Sequence, residues 1–64
     1  MIGMYFTRKQ DNEFYEAVSE PVNDSDGDLC LLSRKVSTKQ SVTIELYEVD
    51  KIYTKEEYYE LQKV

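Results

Sequence analysis

Sixty-four residues and a mass of 7.6 kDa hold one small domain, residues 1–64, and no second one. Thirteen acids against eight bases leave a net charge of −5, and no apolar run approaches the about 18 residues of a membrane helix. These figures exclude a multi-domain enzyme, a membrane-spanning helix and a disulfide-stapled mini-protein, and they disfavour nucleic acid as a partner.

The N-terminus, Met1-Ile2-Gly3-Met4-Tyr5, lacks the charged and apolar regions of a signal peptide. Together with a single cysteine this predicts a reducing, cytoplasmic location. Residues 3–8 read as a strand rich in aromatic and β-branched types. Lys9 to Asn12 is polar and turn-like, and residues 13–20 resume as a strand, which is a hairpin pattern. Pro21 has no amide donor and belongs at a strand end.

Residues 23–28, Asn-Asp-Ser-Asp-Gly-Asp, form the strongest loop signal, with Asp26-Gly27 a favoured turn pair. The apolar run Leu29-Cys30-Leu31-Leu32 opens a third strand over 29–36, and a second polar turn spans 37–40. Residues 41–49 alternate most clearly: Val42, Ile44 and Leu46 share one face, Thr43 and Glu45 the other. The parity then slips to Tyr47 and Val49, which predicts a bulge or bend.

The period changes again at the C-terminus. Thr54-Lys55-Glu56-Glu57 matches a capping box, and Tyr53 with Tyr58 has the spacing of a hydrophobic staple. The spacing predicts a helix over 55–63, too short to stand alone, so it must pack on the strands or on another chain. The fold class is mainly β (α+β): a small antiparallel barrel or curled sheet of four to five strands with a short C-terminal helix.

This order resembles small SH3-like barrel domains of unknown function found in bacteria and prophages. The matching residues are Gly3, Tyr5 or Phe6, Lys9, Phe14 or Tyr15, Val18, the Leu29–Leu32 run and the Ile44–Val49 strand, within residues 3–53. The resemblance implies a barrel, often of phage origin, and no catalytic residues.

Side-chain chemistry gives little purchase for catalysis. Without histidine, a nucleophile would have to rely on a carboxylate or lysine base, and no Gly-x-Ser-x-Gly elbow occurs. One cysteine and no histidine cannot close a zinc shell. The 23–28 loop invites a calcium reading, but an EF-hand register that places Gly27 at its sixth position puts Val22 and Ser33 where carboxylates are required. The two glycines are isolated, so no phosphate-cradling loop exists. The sequence predicts no enzyme activity, no metal and no cofactor. Cys30 reads first as a small buried hydrophobe; a reactive thiol would need cations beside it, and Arg34 and Lys35 are near in sequence.

The informative feature is charge segregation. Residues 11–28 carry seven acids and no base, residues 29–39 three bases and no acid, and residues 45–60 six acids and two bases. Six tyrosines, four of them after residue 46, are more than so small a fold can bury. The leading reading is a non-enzymatic module, a phage-type inhibitor among its forms, that docks on a basic site of a host or defence protein. It would use Glu13, Glu16, Glu20, Asp24, Asp26 and Asp28 with Tyr47, Tyr58 and Tyr59. The alternatives are a nucleic-acid-binding barrel using Arg8, Lys9, Arg34, Lys35 and Lys39 with tyrosine stacking, and a homodimeric assembly subunit.

Overall fold

The computed structural model describes residues 1–63. Six antiparallel strands form one curled, unclosed sheet: β1 (Tyr5–Arg8), β2 (Phe14–Ala17), β3 (Val22–Asn23), β4 (Leu29–Lys35), β5 (Ser41–Glu45) and β6 (Val49–Tyr53). A 3-10 turn, Leu46–Glu48, joins β5 to β6, and one helix, α1 (Lys55–Leu61), follows. The strand count exceeds the expected four to five. The strand expected over 41–49 ends at Glu45, the parity slip is realised as the 3-10 turn, and β6 then runs past the predicted end to Tyr53. The strand expected over 13–20 ends at Ala17, and β3 is an additional two-residue strand after Pro21.

The long strand β4 organises the sheet. One edge pairs with β2 through Ser33–Lys35 and with β3 through Leu29–Cys30; the other pairs with β5 from Cys30 to Arg34. On the far side, β1 lies between β2 and β6, with a register shift between Phe6 and Arg8 where β6 bends. Two turns use the expected chemistry, with Asn12 and Gly27 in the left-handed region at φ of 56° and 85°, and Lys39 enters that region as well, at 62°.

Alternation sends side chains to two faces, and each face has its own apolar centre. On the concave face Phe6, Tyr15, Ala17, Leu31 and Ile44 are almost fully buried, with Met1, Val42, Leu46 and Val49 packed around them. The Phe6 and Tyr15 rings stack at 5.7 Å between centroids. On the convex face the neighbouring residues Tyr5 and Phe14 receive the helix. Tyr58 lies parallel to Tyr5 at 4.1 Å and edge-on to Phe14 at 5.1 Å.

The predicted capping box is present. The Glu57 N–H donates to Thr54 Oγ1 at 3.1 Å, and the Thr54 N–H donates to Glu57 Oε1 at 2.8 Å. The staple differs in detail: Phe14 stands between the two tyrosines, 5.8 Å from the Tyr53 ring. The helix ends at Leu61, two residues before its predicted end, with Gln62 as its C-cap.

Candidate functional site

The acids singled out from the sequence do not form one surface. Two of them, Glu20 and Asp24, serve the fold, as does Asp11 of the same acidic block. Asp11, at the β1–β2 turn, accepts from the Arg8 guanidinium, from the Tyr15 hydroxyl at 2.8 Å and from the Glu13 N–H at 3.1 Å. The Arg8 hydrogen bond leads in holding its carboxyl well below the usual range. The Arg8 guanidinium also lies 5.0 Å over the Tyr15 ring. Glu20 accepts from the α-amino group of Met1 and from the Ile2 N–H at 3.0 Å. Asp24 closes the β3–β4 turn by accepting from the Asp26 and Asp28 N–H groups at 2.8 and 3.0 Å.

Glu13 sits at the opposite end of the sheet, 4.0 Å from Lys35 Nζ. Glu16 faces Arg34 across strands in register, without a close ion pair among the described residues. Asp26 and Asp28 are exposed on the turn. Of the three tyrosines, Tyr47 is 71% and Tyr59 48% exposed, whereas Tyr58 is 9% exposed because it anchors the helix. The ring of Tyr58 is therefore spent inside the fold, a correction to its assignment as a surface contact.

One acid the sequence did not single out completes the turn. Glu45 ends β5 opposite Cys30, the residue that pairs on its other side with Val22 of β3. This register brings Asp24, Asp28 and Glu45 together, with one carboxylate oxygen of each within 4.8 Å of the others. The Oε2 of Glu45 is sealed from solvent with no hydrogen-bond partner. Asp24 and Asp28 lie within reach of its carboxyl, and hydrogen bonding of the protonated form to Asp24, then desolvation and the charges of Asp24, Asp28 and Glu48, raise Glu45 to about 7. The same bond, reinforced by backbone N–H donors, lowers Asp24. The signal was present in the alternation of residues 41–45, but it needed the β3–β4–β5 register to be read.

Cys30 lies beneath this group, buried. Burial, then the charges of Glu45 and Asp24, push its thiol up, the opposite of activation. Arg34 and Lys35 lie at the other end of β4, so the buried-hydrophobe reading stands.

Charge is thus polarised along β4. Asp24, Asp26, Asp28 and Glu45 gather at its Leu29 end, while Arg34, Lys35 and Lys39 gather at its Lys35 end. Seven strand residues separate the two by on the order of 20 Å. Of the other bases considered for nucleic acid, Arg8 is engaged by Asp11 and Lys9 is exposed. No described helix is long and apolar enough to cross a membrane. The chain matches no family model, no curated protein and no solved structure.

Proposed function

We propose that this protein is a small non-enzymatic binding module of the SH3-like kind, presenting the acidic β3–β4 turn to a basic site on a protein partner. The observation that carries the reading is the gathering of Asp24, Asp26, Asp28 and Glu45 at one end of the sheet with no base among them. Exposed Asp26 and Asp28 serve as the contact acids, while Asp24 holds the shape of the turn through its backbone bonds. A concentrated negative end accelerates encounter with a basic surface and rejects acidic ones. Exposed Tyr47 follows Glu45 by two residues and offers an amphipathic ring to the same partner. A phage-type inhibitor acting on a cytoplasmic host or defence protein is the specific form of this reading.

The test is capture from a host lysate by the immobilised protein. It is followed by titration of the captured protein against wild type and the Asp26→Lys/Asp28→Lys variant. Binding that weakens at least tenfold in the variant, and that falls with added salt, supports the assignment. Equal affinity of the two proteins overturns it.

A further inference from the structure

Strand β5 is the outermost strand on its side of the unclosed sheet; it pairs with β4 and with no other described strand. The hydrogen-bond ladder tells which of its backbone groups are free. The Lys35 N–H donates to the Gln40 carbonyl at 2.9 Å. Stepping along the antiparallel ladder by two makes Ser33–Val42 and Leu31–Ile44 the bonded pairs. On its other edge β4 uses the alternate residues, as the Val18 N–H donating to the Leu32 carbonyl confirms. Ser41, Thr43 and Glu45 therefore direct their N–H and C=O groups away from the sheet. The Glu45 N–H is taken by the Glu48 carboxylate at 3.1 Å. Ser41 and Thr43 retain a free donor and a free acceptor each.

Natural sheets blunt such edges with lysine, proline or a bulge. The strand Ser41-Val42-Thr43-Ile44-Glu45 has none of these: its register with β4 is continuous, and its residues favour extended structure. Charge identifies the occupant. The β4–β5 hairpin is acidic at one end and basic at the other, so a second copy laid antiparallel along it sets unlike ends together. A parallel partner copy would set like ends together.

We propose that two copies of this chain pair through their β5 edges, with Ser41 of each opposite Thr43 of the other. Each Ser41–Thr43 pair exchanges two main-chain hydrogen bonds, the two-fold axis passes through Val42, and Glu45 of one copy lies beside Lys39 of the other. The outward-facing Ser41 and Thr43 side chains stay on the same face, so the two sheets become one. The half-buried Val42 meets its symmetry mate on the concave side. The contact is small, which places the dimer among weak, concentration-dependent associations. It leaves Asp26 and Asp28 off the interface, so it stands or falls separately from the binding role of the acidic turn.

Sedimentation equilibrium on the full chain tests the proposal. Wild type at low salt is expected to move from 7.6 kDa toward twice that mass on concentration to about 1 mM. Thr43→Lys, which places a charge in the middle of the edge, is expected to stay monomeric with an unchanged unfolding midpoint. Register is read separately with Val42→Cys in a Cys30→Ser background. Antiparallel non-bonded pairs bring Cα atoms to about 4.5 Å, within disulfide range, so oxidation should cross-link this variant and leave Thr43→Cys largely uncross-linked. A wild type that remains monomeric throughout overturns the proposal and leaves the edge to a strand of another protein. A Thr43→Lys variant that dimerises like wild type, or equal cross-linking at the two positions, overturns it as well.

Discussion

Replacing Tyr58 with alanine should cost this domain a large part of its stability. The ring is 9% exposed, stacked on Tyr5 and set edge-on against Phe14. An aromatic side chain of roughly 200 Å² buried to this degree contributes about 4 kcal/mol at about 25 cal/mol per Å². Compactness of the unfolded chain lowers that to about 3 kcal/mol, at the lower end of measured aromatic-to-alanine costs. A 64-residue domain has a total of roughly 3–10 kcal/mol. The helix has seven residues and no independent stability, so loss of its anchor releases it and leaves the convex faces of Tyr5 and Phe14 wet. Urea unfolding followed by circular dichroism measures the effect, with Tyr47→Ala as the exposed control, expected within about 0.5 kcal/mol of wild type. A Tyr58→Ala midpoint equal to that of Tyr47→Ala would refute the reasoning and show that the helix contributes nothing to the sheet.

Three further outcomes follow from the polar groups. Asp11→Asn should destabilise by about 1–2 kcal/mol at neutral pH, because the Arg8 and Tyr15 partners lose a charged acceptor. Since the folded carboxyl titrates below its ordinary value of 3.8, the contribution is present above that pH and fades as pH falls below it. Wild type and variant should therefore converge in acid unfolding, and a constant gap down to pH 2 would contradict this. Glu45 has the opposite sign. Its folded carboxyl is raised from 4.5 to about 7, so its ionisation destabilises the fold progressively as pH rises through that interval. Glu45→Gln should flatten the pH dependence between 4.5 and 7, and a variant with the wild-type slope would contradict the raised carboxyl. Cys30 should resist alkylation at pH 8 in the native protein and react readily in urea; equal rates would show that the thiol is not buried.

The features written in local residue order were legible from sequence. The capping box at Thr54, the period-two run from Val42 to Ile44, the Asp26-Gly27 turn and the break after Leu46 all depend on neighbours within a few positions. The misread features depend on register. Tyr58 looked like surplus surface tyrosine because its partner, Tyr5, lies at the other end of the chain. Glu20 and Asp24 looked like free surface charge because their hydrogen bonds to the first residues and to the turn's own backbone leave no sequence signature. Glu45 was overlooked because it meets Asp24 only through two strand pairings at Cys30. The charge blocks were visible as counts, but only the fold turns them into two ends of one strand.

The position of β1 between β2 and β6 bears on how this chain reaches its fold. Tyr5 pairs with Glu16 on one side and with Tyr53 on the other. The first partner is a short loop away, while the second lies far along the chain, in β6. During synthesis β1 thus stays half-paired, with Phe6 and Tyr5 covered on one side only, until β6 and the helix emerge. The β4–β5 hairpin is local and can form early, whereas closing the ends is the high-separation step that sets the folding rate. Linking residue 1 to residue 64 and opening the chain in the 37–40 turn would reverse this order, making the β1–β6 pairing local and the β4–β5 pairing distant.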